Sequence, residues 1–263
     1  MANLKEIKRK IGSVKNTQKT TNAMKLVSSA KLKRTEELAK RSRVYAEKLT
    51  GLLNEIAQKM QQSNAEGIDN VYFKDVQNPE MVDIVFITAD KGLCGGFNSQ
   101  TIKRVNKMIA EYQAQNVKVR LRAVGRKGID YFKFNNVETD KIILIHNGYV
   151  NMITQEIRED QVLPVDSSKL VLDSVSTSEL EVEPDDDDTL LDALVKRYIE
   201  YTMYYSLIDS LAAEHSARMQ AMDAATSNAK EMVKELTVKY NKARQEAITT
   251  ELIEIISGME SMK

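Results

Sequence analysis

Residues 185–257 read DDDDTLLDALVKRYIEYTMYYSLIDSLAAEHSARMQAMDAATSNAKEMVKELTVKYNKARQEAITTELIEIIS, without a glycine or a proline. Apolar side chains recur in alternating steps of three and four: Leu191, Leu194, Tyr198, Tyr201, Tyr205, Ile208, Ala212, His215, Met219, Met222, Thr226, Ala229, Val233, Leu236, Tyr240, Ala243 and Ala247. Only His215 and Thr226 interrupt the series. Such steps average 3.5 residues, the period at which a helix supercoils to keep one seam against a partner. At about 1.5 Å per residue the helix would run on the order of 110 Å, more than a globular core requires. The stretch predicts one strand of a coiled-coil shaft.

The other strand is at the opposite end of the chain. Leu4, Ile7, Ile11 and Val14 keep the same spacing; the register then drifts through Met24 and Val27 and resumes at Leu38, Tyr45, Leu49, Leu52 and Ile56. A lone helix of this kind would expose its apolar stripe, so the two long helices are expected to pair. They pair antiparallel if the middle of the chain is a compact domain inserted at one end. The three prolines, Pro79, Pro164 and Pro184, all lie between the two helical patterns.

The middle has a different grain. Met81 to Thr88 is apolar and β-branched, as in a buried strand. Gly92 to Gly96 is a glycine-rich turn, Ile102 to Tyr112 has helical spacing, Val117 to Val124 alternates as a half-buried strand, and Gly125 to Phe132 fits a short helix. Lys141 to Ile145 reads as a third strand, Met152 to Gln161 as a helix, and Leu170 to Val175 as a further strand. Strand–helix alternation predicts a small, Rossmann-like α/β domain with a mainly parallel sheet. The expected organisation is an N-terminal shaft helix over 1–60, an α/β foot domain over 75–180 and a C-terminal shaft helix over 188–258. Thr189 and Asp192 resemble a capping box opening the last helix, and Gly258 is a plausible stop.

The chain has 263 residues and a formal net charge of +0, so overall charge gives no reason to expect nucleic acid or a bare membrane as partner. Residues 1–50 nevertheless carry 14 Lys/Arg against 4 Asp/Glu. A basic helix suits an acidic partner surface, or is simply a solvated face. The single cysteine, Cys94, excludes an intrachain disulfide and fits a reducing compartment. No apolar run is long enough to span a bilayer. The first residues lack the apolar core of a signal peptide, so no targeting segment is expected before the fold.

Candidate chemistry is sparse. A strand followed by Gly92-Leu93-Cys94-Gly95-Gly96 and a helix has the layout of a nucleophile elbow. An elbow needs a histidine base, and only His146 and His215 exist; His215 lies on the coiled-coil seam, away from any sheet top, while His146 follows a strand. A tight turn whose glycines supply special backbone angles is the competing explanation, and the favoured one. The same turn matches neither phosphate-loop pattern. The histidines and cysteine are too dispersed for a metal site, and Asp185 to Asp188 lacks the spaced ligands of a calcium loop. No cofactor, metal or catalytic residue is expected. His215 could pin the register in a pH-sensitive way, or be a buried histidine with its hydrogen bonds met. Lys15 to Lys25 and Asp223 to Lys230 are small and polar where an ordinary coil would carry leucines. Such a seam buries little area, so something packs around it or the coil bends and twists there. From Ile248 the apolar register shifts to Leu252, Ile255, Met259 and Met262, which suggests a different partner for an overhanging end.

Several stretches together resemble the gamma subunit family of F-type ATP synthases: Asn3 to Ile7, Thr20 to Val27, Gly92 to Asn98, Asn151 to Gln155 with Leu163-Pro164, Glu214 to Met219 leading to Thr226, and Tyr240 to Gln245 with Ile248-Thr249 and Glu251-Leu252. The resemblance implies a central rotor shaft without catalytic activity of its own. It implies partners in the alpha and beta subunits of the catalytic hexamer, the epsilon subunit and the c-subunit ring, with no nucleic acid and membrane contact only through the complex. Met24 matches the family methionine near the catch-loop contacts. Arg244, Gln245, Thr249 and Glu251 match polar residues that engage the catalytic subunits, and the turn around Cys94 is expected near an acidic lever of a beta subunit. The middle domain reads about 20 residues shorter than in many bacterial members, judged by loop economy. The paired cysteines of the chloroplast redox switch are absent. A bacterial source, and a peripheral place on the cytoplasmic face of the inner membrane, are expected. The alternatives are a non-catalytic coiled-coil scaffold of another complex, here with a basic arm for nucleic acid, and an enzyme built on Cys94.

Overall fold

A computed structural model describes residues 4–63, 79–132, 141–163 and 187–260. The described elements run α1 (Leu4–Ser63), β1 (Met81–Ile87), α2 (Phe97–Ala114), β2 (Lys118–Val124), α3 (Arg126–Tyr131), β3 (Lys141–Tyr149), β4 (Gln155–Leu163) and α4 (Asp187–Glu260). The segment 170–175, expected as a strand, lies outside the described residues. Contacts divide the chain into two compact units, one of Met1–Ser28 with Met219–Lys263 and one of Ser29–Arg218.

In the first unit the two helices pair antiparallel. The Thr21 and Thr226 hydroxyls are 2.7 Å apart, and Lys25 Nζ donates to Asp223 Oδ1 at 2.6 Å. Every described position of the α4 seam from Leu194 to Ala247 is buried or half-buried. The α1 seam does not drift. Leu4, Ile7, Ile11, Val14, Gln18, Thr21, Lys25, Ser28, Leu32, Thr35, Ala39, Ser42, Ala46, Leu49 and Leu53 form one unbroken 3-4 series, all buried or half-buried. Val27, Leu38, Tyr45 and Leu52, expected inside, are exposed by 56, 43, 43 and 43%. Small and polar residues hold the seam there, so hydrophobicity pointed to the adjacent face.

The second unit carries the sheet, in the order β2-β1-β3-β4. β1 runs parallel to β2 and to β3; β4 returns antiparallel to β3. β1 is buried from Val82 to Ile87 because both its faces are covered. Val82, Ile84 and Phe86 meet Val105 and Met108 of α2; Val85 and Ile87 meet Leu144, Val162, and Ile199 and Met203 of α4. Here too α1 and α4 pack antiparallel. The Tyr45 and Tyr201 rings lie 4.3 Å apart, and the Tyr201 hydroxyl donates to the Ser42 carbonyl at 3.1 Å.

Three boundaries differ from expectation. Met152 to Gln161 is a turn followed by β4, not a helix: the Asn151 carboxamide oxygen accepts the Ile153 and Thr154 N–H groups at 2.8 Å and closes the turn. Glu, Arg and Gln dominate that stretch because β4, at the edge of the sheet among the described residues, is a polar strand whose charges pair with neighbours, so helix propensity misled. α4 already includes Asp187 and Asp188, which puts Thr189 inside the helix; carboxylates suit the positive end of the helix dipole. Nor does Gly258 end α4, which continues to Glu260; one glycine costs about 1 kcal/mol, little against so long a helix.

Candidate functional site

The six expected contact residues fall in the two units separately. Met24, Arg244, Gln245, Thr249 and Glu251 belong to the first. Met24 is half-buried beside Lys25, while Leu26 and Val27 next to it are exposed. Arg244, Gln245, Thr249 and Glu251 are all exposed, with the Thr249 hydroxyl donating to the Gln245 carbonyl of its own helix. The register set by Thr21–Thr226 and Lys25–Asp223 brings Leu4 opposite the region of Ala243. The end of α4 therefore extends past the described start of α1, and its side chains from Glu251 to Met259 are exposed. Leu252, Ile255, Ile256 and Met259 are more than half exposed, at 54, 59, 56 and 59%. By the same register Met24 and Arg244 are separated by about 20 residues, roughly 30 Å along the coil.

Cys94 belongs to the second unit and is buried. Its sulfur accepts from the Asn98 carboxamide at 3.3 Å and packs with Ala89, Phe97, Ala213 and Ala217. Burial pushes the thiol pKa up, the reverse of what a nucleophile needs. The turn's outward surface is Lys91, Gly92 and Leu93, and Leu93 is 62% exposed with φ of 63°. Arg218 holds this turn: it pairs with Glu214 at 2.6 Å and reaches the Lys91 and Gly92 carbonyls at 3.4 Å.

What sequence reading missed is how α4 grips the sheet. Asp209, 2% exposed, accepts the Tyr149 N–H at 3.1 Å and an Arg158 N–H at 2.8 Å. Its Oδ2 is 3.4 Å from His146 Nε2, and Asp160 Oδ2 is 3.7 Å from His146 Nδ1. Gln155 donates to the Ser216 hydroxyl, which donates to the Met152 carbonyl. The available signal was an acid set in the apolar run Tyr205 to Ala213. His215 also departs from expectation. It lines a cleft with Ile87, Thr88, Val124 and Gly125, the ends of β1 and β2, so it is at the sheet top. Its Nδ1 is buried without a hydrogen-bond partner. Burial, Arg218 and Lys31 push its pKa down to about 4.

These features define a class: a coiled-coil protein whose two long terminal helices carry an inserted α/β domain clamped to the second of them. The ATP synthase family profile matches residues 3–141 and 133–262. The ATP synthase gamma chain of Sulfurovum sp. is 75% identical over 295 aligned positions, covering 100% of both chains; that of Nitratiruptor sp. is 57% identical with the same coverage. The chain belongs to the ATP synthase gamma chain family. Those 295 aligned positions exceed its 263 residues, so the alignment opens gaps in this chain, and the two profile matches overlap at 133–141. Among solved structures it resembles a chain of the Euglena gracilis mitochondrial ATP synthase, with TM-score 0.66 and 20% identity over 98% of this chain and 94% of that one. It also resembles a chain of the Tetrahymena thermophila mitochondrial ATP synthase central stalk and c-ring, with TM-score 0.57 and 24% identity over 78% and 99%. Both likenesses establish the fold. Among the described residues no helix is long and apolar enough to cross a membrane.

Proposed function

We propose that the chain is the central rotor shaft of an F-type ATP synthase, carrying torque between an ion-driven c ring and a catalytic alpha/beta hexamer. The chain itself performs no chemical step; ATP is made and hydrolysed in the hexamer. The observation that carries this reading is the full-length match, at 75% identity, to an ATP synthase gamma chain. The chemistry of the coil agrees. A seam of Thr21, Lys25, Ser28 and Thr226 is weakly apolar, which permits twist, and α4 ends in an exposed apolar stretch suited to a bearing.

In this reading Met24, Arg244, Gln245, Thr249 and Glu251 meet the alpha and beta subunits. The turn bearing Cys94 meets them through Lys91 and Leu93. The α/β domain is the foot against the epsilon subunit and the c ring, at the cytoplasmic face of a bacterial inner membrane. The test is reconstitution of the purified chain with alpha and beta subunits. One copy per hexamer, with ATP hydrolysis far above that of either component, is the expected result. Failure to co-elute, or hydrolysis by the chain alone, sinks the reading.

A further inference from the structure

The cleft containing His215 has a volume of about 690 Å³ and is walled by α1, the ends of β1 and β2, and α4, all within the second unit. Its charges are unbalanced. Lys31 and Arg34 enter from α1, Lys91 from the turn after β1, and Arg218 from α4, against Asp90 and Glu214. Both acids are engaged: Glu214 holds Arg218 at 2.6 Å, and Asp90 accepts the Arg126 N–H at 3.0 Å. Lys31, Arg34 and Lys91 have no carboxylate within ion-pair distance among the described residues. Two residues of its lining also carry a buried polar atom without a hydrogen-bond partner: Ser210, 2% exposed, at its hydroxyl, and His215, 7% exposed, at Nδ1. Native interiors rarely leave two such groups unmet in the lining of one cleft, and together with the unpaired cations they mark a place for a multivalent oxyanion.

We infer that this cleft binds a phosphate group, held by Lys31, Arg34 and Lys91 over Ser210 and His215. A tetrahedral anion offers several acceptors at once, which suits donors arriving from three directions. The volume also admits a small nucleotide, so the ion could be free or the terminal phosphate of a diphosphate. Burial first, and then Arg218 and Lys31, favour the neutral imidazole. A bound anion would offset these cations, so His215 reports occupancy.

The full chain has two histidines, and His146 is the internal reference. Their imidazole proton resonances are followed while inorganic phosphate is added, against sodium chloride at matched ionic strength. Phosphate is expected to shift the His215 signal saturably and raise its titration midpoint by about one pH unit, or tenfold in proton affinity. His146 is expected to stay put. In Lys31→Ala/Lys91→Ala the midpoint starts higher and phosphate no longer moves it, whereas Lys103→Ala, outside the cleft, responds as the parent does. If ADP saturates the shift at lower concentration than phosphate and the two compete, the ligand is a nucleotide's phosphate; an equal or weaker effect of ADP makes it the free ion. No shift beyond the chloride control, or an equal shift in the double variant with its fold intact by circular dichroism, overturns the inference.

Discussion

Among the described glycines, Gly125 is the one where an added Cβ would meet the nearest atom. Its φ is +96°, and a Cβ there would lie 1.9 Å from the Thr88 carbonyl oxygen. Thr88 cannot retreat, because its N–H donates to the Val124 carbonyl at 2.8 Å and its hydroxyl accepts the Gly128 N–H at 2.8 Å. Gly125→Ala should therefore lose about 3 kcal/mol or more, read as a lower urea midpoint, where an ordinary exposed Gly→Ala change gains a fraction of that. An unchanged midpoint would mean that the strand end is not fixed as described. His215 sets a pH dependence. Its folded pKa, about 4, is below the free value near 6.5, so the unfolded chain binds the extra proton between those values. Its contribution is fully present above about pH 6.5 and is lost as pH falls towards 4, costing on the order of 1–3 kcal/mol. His215→Gln should flatten the stability profile over that window in phosphate-free buffer; a slope the same in both chains would acquit the residue.

At the scale of elements, legibility followed burial contrast. The α4 seam was readable position by position because its apolar side chains are the buried ones. On α1 the same geometry is filled by Gln18, Thr21, Lys25, Ser28, Thr35 and Ser42, which no hydrophobicity pattern reports. β1 was clear as an apolar run, whereas β4 was hidden: its Arg158 pairs with Asp209 and its Glu159 with Arg104, partners distant in sequence. The candidate contact residues came from family resemblance alone; nothing in their local pattern marks them. The polar seam carries its own prediction. Thr21 has a fallback acceptor in the Gln18 carbonyl at 3.1 Å, and Thr226 donates to the Met222 carbonyl at 2.7 Å. Neither Thr21→Val nor Thr226→Val strands the remaining hydroxyl. Each should cost no more than about 1 kcal/mol in thermal unfolding, with a coupling energy in the double variant of similar or smaller size. Losses of several kcal/mol would show that the hydroxyl pair locks the coil, against the view that this seam is built to shift.

For the whole molecule, the gamma chain reading makes the exposed surfaces the informative ones. Met24 is half-buried next to the Lys25–Asp223 pair, and Met24→Lys adds a second cation there without removing core volume. In the assembled enzyme, ion pumping per ATP hydrolysed should fall several-fold while hydrolysis persists, since about 1 kcal/mol of misplaced charge is enough to change a balance of states by a factor of roughly five. Full coupling in the variant would remove Met24 from the contact set. The end of α4 allows a sharper test. Ile255 and Met259 are 59% exposed, so Ile255→Asp/Met259→Asp should leave the melting temperature of the isolated chain unchanged. If they seat in an apolar bearing of the hexamer, each loses about 1.5 kcal/mol or more of burial and adds a desolvated charge, which makes capture about 100-fold weaker or worse. A weaker complex with an unaltered chain is an interface effect and cannot come from misfolding. Equal capture would move the bearing elsewhere and leave this apolar face without a role.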